Sequence, residues 1–153
     1  MQGKGEWQWK TFDALSGAEV YAILKLRSEI FVLEQECPYL DPDGLDPQAW
    51  HCLYREQGTL KAYLRSLAPG STYAQASSIG RIVVDASCRG QGLSRELIQR
   101  GIDFNRQRWP DHALEIGAQA HLRKLYESLG FRECGEPYDE DGIPHLHLRL
   151  ASS

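Results

Sequence analysis

A short apolar strand that runs into a glycine-rich turn and then into a helix constrains the fold of this sequence most. Ile82-Val83-Val84 is typical of a short buried strand, Arg89-Gly90-Gln91-Gly92 forms the turn, and a helical period of apolar residues runs from Leu93 to Trp109. Residues 114–118 have the pattern of another strand. A strand, a helix and a strand in this order predict a crossover connection, so the sheet contains at least one parallel pair.

The rest of the pattern predicts antiparallel strands and two further helices. These elements are a strand at residues 7–11, a helix after the capping box Ser16-Gly17-Ala18-Glu19, hairpin strands at 50–55 and 60–67, a helix at 122–129, and strands at 131–135 and 145–150. The predicted order is β-α-β-β-β-α-β-α-β-β. The expected fold class is therefore α/β (mixed α+β), with a mixed, mostly antiparallel sheet flanked by helices on both faces.

Length, charge and cysteine content exclude several classes of protein. The 153 residues suit a single domain, 1–153. A net charge of −4 is not that of a general polyanion binder, so we expect no nucleic-acid partner. The longest apolar run, Val20 to Leu24, is far shorter than the roughly 20 residues of a spanning helix, so we expect no membrane partner. Without a signal peptide or a CxxC pair, a reduced, cytoplasmic protein with no bound metal is expected.

The glycine turn at residues 89–92 has the features of an anion site. Its glycines let backbone N–H groups approach an anion, the following helix adds partial positive charge, and Arg89 and Arg95 bracket the turn with full charges. A Walker A loop is excluded because no Gly-Lys-Ser/Thr follows. A Rossmann fingerprint fits poorly, because Arg95 replaces its third glycine and Glu115 falls early in its strand. A tight turn without a ligand stays open as an alternative.

Two motifs at a matching separation resemble the GNAT N-acetyltransferases. Arg89-x-x-Gly92-x-Ser94 resembles the acetyl-CoA pyrophosphate loop of that family, which usually ends in Gly or Ala where Ser94 stands. The segment at residues 125–131, Leu-Tyr-Glu-Ser-Leu-Gly-Phe, resembles the helix–turn–strand signature that follows this loop. Its tyrosine, Tyr126, lies 34 residues after Gly92, with one strand between. The resemblance implies a GNAT fold, acetyl-CoA as co-substrate and acetyl transfer to an amine.

The resemblance also implies which residues contact the cofactor. They are Ile82, Val83, Val84, Arg89, Gly90, Gln91, Gly92, Leu93, Ser94, Arg95, Gln119 and Tyr126. Gln119 stands where the family often has an asparagine that contacts the CoA arm. A phenol is a proton donor at neutral pH, and in much of the family a tyrosine at the position of Tyr126 protonates the CoA thiolate. The alternative for Tyr126 is a core aromatic on the apolar stripe of its helix.

Several longer segments, between about residue 7 and residue 150, resemble the ElaA subfamily of GNAT proteins. These segments are Leu26 to Tyr39, Asp43 and Asp46, Gln119 to Leu122, and Asp141 to His145. The resemblance implies a bacterial, cytoplasmic protein. Because the subfamily is largely known by prediction, the resemblance implies the cofactor better than the acceptor.

The acceptor side is argued from chemistry, because an ammonium must lose a proton before it attacks. Glu34 follows the first helix and borders the loop where GNAT acceptors usually enter, and His51 begins a strand beside that loop. We take Glu34 and His51, with Tyr126, as the catalytic candidates. His145, in the C-terminal segment, is a further candidate. The alternatives are a solvated charge for Glu34 and hydrogen-bonded strand positions for the histidines.

A cluster of aspartates, Asp41, Asp43 and Asp46, is the clearest acidic feature of the sequence. It is expected either to be a solvated loop of turn-forming residues or to attract a cationic acceptor. Metal binding is a further alternative, although the aspartates lack a regular ligand spacing.

The sequence therefore predicts transfer of an acetyl group from acetyl-CoA to an amine of a small molecule, peptide or protein, by direct attack. A non-catalytic acyl-CoA sensor or interaction module on the same fold is the alternative. The identity of the acceptor and the choice between a monomer and a homodimer stay open.

Overall fold

The computed structural model describes residues 5–37 and 39–152, which form an eight-stranded sheet with helices on both faces. In chain order the elements are β1 (Glu6–Thr11), α1 (Gly17–Arg27), a π-helix that continues α1 (Ser28–Glu34), β2 (Trp50–Glu56), β3 (Thr59–Leu67), β4 (Ala76–Val84), α2 (Leu93–Arg108), β5 (Ala113–Gln119), α3 (Arg123–Ser128), β6 (Arg132–Glu133), β7 (Tyr138–Glu140) and β8 (Ile143–Leu150). The predicted order is confirmed, and β7 is present in addition.

The sheet is mixed and mostly antiparallel, as predicted. Its strands lie in the order β1-β2-β3-β4-β5-β8-β6, and β7 also pairs with β8. Among the described strands, β4 and β5 form the only parallel pair, and the predicted crossover through α2 joins them. The strand predicted at 131–135 is shortened to β6, because Gly135 has a φ of 74° and turns the chain. The chain then returns as the hairpin of β7 and β8.

A capping box starts α1, as predicted. The Ser16 hydroxyl accepts a hydrogen bond from the Glu19 backbone N–H at 3.0 Å, and the Glu19 carboxylate accepts one from the Ser16 N–H at 2.8 Å. The same carboxylate pairs with Lys10 of β1 at 2.9 Å. These contacts hold the start of α1 against the edge of the sheet.

Each face of the sheet is covered by its own helices. On one face, α2 buries Leu97, Ile98 and Ile102 in the larger core, which α3 also joins. On the other face, Ile23 and Leu26 of α1 pack against the sheet in a smaller core. The fold thus contains two cores, separated by the central strands.

An extra residue bends β4 where it runs along β3. Tyr63 of β3 pairs with Val83, whereas Arg65, two residues on, pairs with Gly80, three residues back. Arg81 lies at this bulge with a left-handed φ of 48°. A β-bulge bends the strand that carries it and increases its twist. The bulge therefore turns the second half of β4 away from its course alongside β5.

Candidate active site

β4 and β5 diverge soon after they begin and leave a cleft between residues 78–84 and 115–119. They pair only at Ala76–Ala113 and Ser77–Leu114. The cavity between the diverging halves has a volume of about 600 Å³. No described strand pairs with these facing edges, so their backbone N–H and C=O groups are free to bind a ligand. We call this space the β4–β5 cleft.

Seven of the twelve predicted cofactor residues line the β4–β5 cleft. They are Ile82, Val83, Val84, Arg89, Ser94, Gln119 and Tyr126. The other five, Gly90, Gln91, Gly92, Leu93 and Arg95, belong to the glycine turn and to the first turn of α2, beside the wide end of the cleft. The fold thus brings the predicted residues to one place, while their contact with a cofactor stays a prediction.

The glycine turn has backbone conformations that glycine adopts readily and other residues rarely do. Gly90 has a φ of 80° and Gly92 a φ of 77°. Gly92 is the N-cap of α2, and it has no side chain that could occupy the first backbone N–H groups of the helix. Ser94, at the start of α2, lines the cleft. The positive end of the helix dipole therefore lies at the cleft, and no side chain of the described residues caps it.

Both arginines that bracket the glycine turn have protein partners in this structure. Arg89 makes a two-pronged ion pair with Glu34 of the π-helix, at 2.5 and 2.7 Å. The hydrogen bonds from Arg89 lower the pKa of Glu34, so its carboxylate is a weaker base while the pair holds. Arg95 donates to the Ser128 hydroxyl of α3 at 2.7 Å, which ties the turn to that helix.

Tyr126 both packs in the larger core and lines the cleft. Its residue surface is 4% exposed, and its ring lies edge-on against Phe131, with 5.6 Å between the ring centroids. Burial raises the pKa of its phenol, so the hydroxyl stays protonated at physiological pH. Within residues 5–37 and 39–152, no side chain hydrogen-bonds to this hydroxyl. A core position and a proton-donor role are therefore compatible for Tyr126.

Gln119 ends β5 and bridges the cleft to the π-helix side. Its amide nitrogen donates to the side-chain carbonyl of Gln35 at 3.2 Å. Glu34, the residue before Gln35, also lines the cleft. Two predicted residues from distant parts of the sequence are thus brought to the same rim.

His51 lies outside the β4–β5 cleft, which corrects its assignment as a catalytic candidate. Its Nε2–H donates to the Asp46 carbonyl at 3.0 Å, and its Nδ1 accepts from the Tyr63 hydroxyl at 2.5 Å. It borders a smaller apolar cavity under α1. Burial lowers the pKa of His51, so it stays neutral in this setting. Because both ring nitrogens are occupied by the fold, we do not propose it as a base.

The three aspartates of the acidic cluster face three arginines, which corrects both expectations for that cluster. Each aspartate bridges two arginines, and each arginine bridges two aspartates, at 2.8 to 3.3 Å. Around the ring the members are Arg27, Asp41, Arg81, Asp43, Arg65 and Asp46. We call this set the ion-pair ring. Because its charges cancel, the cluster is neither a simply solvated loop nor a free negative patch.

The ion-pair ring is deeply set and holds the loop after the π-helix on the sheet. Arg27 is 0% exposed, and Asp41 and Arg65 are also buried. The Tyr39 hydroxyl donates to Asp41 at 3.0 Å. Arg81, the bulge residue of β4, is the member that lines the cleft. The ring therefore connects the bulge, β3 and α1 in one network.

Sequence reasoning did not place several residues that the fold brings to the β4–β5 cleft. They are Cys37, Tyr39 and Arg81, together with Glu140 and Asp141 of the β7–β8 hairpin. The Cys37 thiol donates to the Asp141 carbonyl at 3.5 Å. The Asp141-Gly142 pair, a common two-residue hairpin turn, was the sequence signal for this hairpin.

Glu115 does not face the cleft, which removes the remaining support for a Rossmann site. It lies on β5 and pairs with His147 Nε2 at 2.8 Å and with Arg149 at 3.5 Å, both on β8. The mostly antiparallel sheet also differs from the parallel sheet of that fold.

Three further observations concern metals, membranes and disulfides. In the part of the chain that the structure describes, no group of three or more His, Cys, Asp or Glu side chains is arranged to hold a metal ion. None of the described helices has the length and apolar content needed to cross a bilayer. All four cysteines are described, and none forms a disulfide.

Several known proteins are similar to this chain in both sequence and fold. Residues 46–152 match the family described as acetyltransferase (GNAT) domain. Protein ElaA of Escherichia coli strain K12 is 39% identical over 145 residues, which are 94% of each chain. The crystal structure of Escherichia coli ElaA superimposes with a TM-score of 0.89 at 37% identity, covering 95% of this chain and 99% of that one.

Two further relatives extend this comparison. An acyl-CoA N-acyltransferase from Pseudomonas aeruginosa has a TM-score of 0.89 at 39% identity, with 95% of this chain and 99% of that chain covered. A UPF0039 protein of the yeast Schizosaccharomyces pombe is 37% identical over 147 residues, 95% of this chain and 96% of its own. Relatives thus occur outside bacteria, so the expected bacterial restriction is not supported. The chain belongs to the GNAT acetyltransferase family, and its close relatives include the ElaA proteins.

Proposed function

We propose that this protein is an N-acetyltransferase that transfers the acetyl group of acetyl-CoA to an amine by direct attack. The β4–β5 cleft is the observation that carries the proposal. It has the glycine turn and the N-terminus of α2 at its wide end, Tyr126 in its wall and an open side toward the β7–β8 hairpin. Family membership supports an acyl-CoA; the acetyl group and the amine are the proposed specifics.

The cleft suits the extended arm of CoA. The pantetheine arm is a linear chain with two amide groups, and such a chain can pair with a free strand edge as an added strand does. Residues 78–84 of β4 offer that edge, since no described strand pairs with it on the cleft side.

The glycine turn suits the pyrophosphate at the end of that arm. The N-terminus of α2 and the guanidinium groups of Arg89 and Arg95 would supply its donors. Arg89 would exchange the Glu34 carboxylate for a phosphate. This exchange costs little, because both side chains of the ion pair are accessible to solvent, at 41% and 45% exposed.

The transfer itself needs proton movements at the acceptor nitrogen and at the leaving sulfur. The acceptor ammonium loses a proton, and the free amine nitrogen then forms a C–N bond to the acetyl carbon as the C–S bond breaks. The departing thiolate takes a proton from a donor as the acylated nitrogen loses its second proton. The donor we propose is the Tyr126 hydroxyl in the cleft wall, because burial raises its pKa and keeps it protonated. Binding both reactants in one cleft also places them for attack without solvent between them.

The compartment and the acceptor side form part of the same proposal. Four unpaired cysteines suit a reducing compartment, and we propose the cytoplasm. The ion-pair ring is internally neutral, so the charges left to attract a cationic amine are the exposed carboxylates of Glu140 and Asp141 at the open side of the cleft.

A binding titration followed by a turnover assay tests the proposal. Acetyl-CoA is expected to raise the melting temperature in a concentration-dependent manner. CoA release, followed with a thiol reagent, is then measured with a panel of polyamines, amino acids and peptides. Release above the hydrolysis rate with at least one amine is the expected result. Binding without release for every amine would instead identify an acyl-CoA sensor, and no binding would remove the proposal.

A further inference from the structure

The proton of the acceptor ammonium needs a receiving group within the cleft. Glu34 is a weak candidate while Arg89 lowers its pKa, and His51 lies outside the cleft. Tyr126 holds its own proton because burial raises its pKa. Two histidines line the cleft, and His121 is exposed to solvent whereas His145 of β8 is buried, so the surroundings of His145 decide whether it can take that proton.

The register of β8 turns His145 toward the acceptor side. His145 pairs with Gln119 of β5, and paired residues of antiparallel strands point to the same face. Gln119 reaches across to Gln35 beside the π-helix, so this face is the one that bounds the cleft. His145 is 8% exposed, which places its ring in a largely closed part of the site.

The hydrogen bond at one ring nitrogen settles the tautomer of His145. Nδ1 lies 2.8 Å from the backbone carbonyl of Ile143. A carbonyl oxygen only accepts hydrogen bonds, so Nδ1 carries the proton. The neutral ring therefore keeps its lone pair on Nε2, which is the nitrogen that can accept another proton.

A carboxylate stands near that second nitrogen. The Glu140 carboxylate of β7 lies 3.8 Å from Nε2, and the Tyr138 ring of the same strand lies 5.6 Å from the imidazole. The other charged or titratable groups that line the cleft are Asp141 in the hairpin turn, Cys37 and Tyr39 after the π-helix, Arg81 of β4, the paired Glu34 and Arg89, His121 after β5, and Tyr126 of α3. Arg81 is neutralised by two aspartates of the ion-pair ring, so Glu140 and Asp141 provide the unmatched charge.

We propose that His145 Nε2 receives the proton of the acceptor ammonium, directly or through one water, and that Glu140 acts as a positioning residue that stabilises the resulting imidazolium. The inference rests on the proposed function. The ammonium gives one proton to Nε2, the C–N bond forms and the C–S bond breaks. The thiolate takes the proton of the Tyr126 hydroxyl, the second proton of the acylated nitrogen passes to the resulting phenolate and restores the phenol, and the imidazolium returns its proton to solvent.

A first test needs no acceptor. Nitrogen-15 chemical shifts of the histidine rings distinguish the two neutral tautomers, and the signals of His145 are assigned from those missing in His145→Gln. We expect the Nδ1–H tautomer, whereas a neutral imidazole in water favours Nε2–H. An Nε2–H tautomer for His145 would overturn the inference even if the enzyme is active.

The kinetic test compares His145→Gln with a matched control two residues along the same strand. His147 lies on the same face of β8 but pairs with Glu115 outside the cleft, so His147→Gln is expected to keep wild-type kinetics. His145→Gln is expected to lower kcat/KM at pH 7 by about 10²-fold or more, with unchanged affinity for acetyl-CoA. Its residual rate should rise steadily with pH, because the amine must then arrive already deprotonated.

A milder variant covers the case in which His145→Gln fails to fold. Glu140 is exposed, so Glu140→Gln should fold normally. The substitution removes a negative charge 3.8 Å from Nε2 that favours the imidazolium, so the rate at pH 7 should fall and the pH–rate profile should differ from that of the wild type. If the wild type is active and both variants keep its pH–rate profile, this inference is wrong and the proposed function stands. If the wild type acetylates no amine, the proposed function is wrong as well.

Discussion

Replacing Tyr126 by phenylalanine separates a catalytic hydroxyl from a core ring. The substitution keeps the ring that packs edge-on against Phe131 and removes only an oxygen that no described side chain hydrogen-bonds. The free energy of unfolding should therefore change by no more than about 0.5 kcal/mol. If the hydroxyl protonates the thiolate, kcat should fall by about 10²-fold, which corresponds to about 2.7 kcal/mol in the activation barrier.

A second buried tyrosine provides the control, because its hydroxyl has a partner. The Tyr63 hydroxyl donates to His51 Nδ1 at 2.5 Å, under α1 and outside the β4–β5 cleft. Tyr63→Phe leaves that nitrogen buried without a donor, which should cost about 1–3 kcal/mol of stability. Turnover should be unaffected, since Tyr63 does not line the cleft.

Thermal melts and steady-state kinetics on both variants give opposite patterns under this reasoning. Tyr126→Phe should melt with the wild type and lose kcat, and Tyr63→Phe should melt lower, by about 2–4 °C for each kcal/mol, and keep kcat. Affinity for acetyl-CoA should be unchanged in both. Full activity in Tyr126→Phe would refute the donor role and leave the proton of the leaving group to water.

Three further outcomes are expected. Gly92→Val should weaken acetyl-CoA binding. Gly58 has a similar φ of 80° but lies in the β2–β3 turn, so Gly58→Val should lower stability only. Unchanged affinity in a folded Gly92→Val protein would contradict the phosphate-loop proposal. Arg27→Met should destabilise the fold by about 3–5 kcal/mol in denaturant titrations, because it leaves buried carboxylates without their partner. Lys25→Met, at an exposed ion pair, should change the free energy of unfolding little. Burial alone would raise the pKa of Asp43, but the arginines facing it lower that pKa from 3.8 to about 2. The ionised Asp43 should therefore stabilise the fold fully above pH 4, and this stabilisation should fade toward pH 2. Thermal melts at acid pH that show no such loss would contradict this account.

Most of the fold could be predicted because its patterns are local. The capping box at Ser16 and the apolar period of α2 act within a few residues, so the sequence alone placed both helices. The glycine turn was recognisable for the same reason, since Gly90 and Gly92 take positive φ values that favour glycine. The hairpin of β7 and β8 carried an Asp-Gly signal too, but its strands are short and polar and lack the alternation that marks a strand.

The features that shape the cleft were not predictable, because they depend on contacts between distant residues. The bulge at Arg81 shows only in the register between β3 and β4, and a non-glycine residue with positive φ leaves no mark in the sequence. Arg27 interrupted an otherwise apolar helix face, and this irregularity was the one local sign of a buried charge. Its partners, Asp41 and Asp46, lie 14 and 19 residues away, so the pairing required the fold.

The ion-pair ring links the stability of the fold to the shape of the candidate site. Arg81 holds an unfavourable backbone conformation at the bulge, and its guanidinium is kept in place by Asp41 and Asp43. The bulge in turn bends β4 away from β5, which opens the cleft. Sequence reasoning considered the carboxylates of Asp41 and Asp43 as a site that attracts an acceptor. In the structure they instead hold Arg81 of β4, the strand that forms one wall of the cleft. In the proposed reaction, a cationic amine would therefore be recognised at the β7–β8 hairpin, where Glu140 lies 3.8 Å from His145.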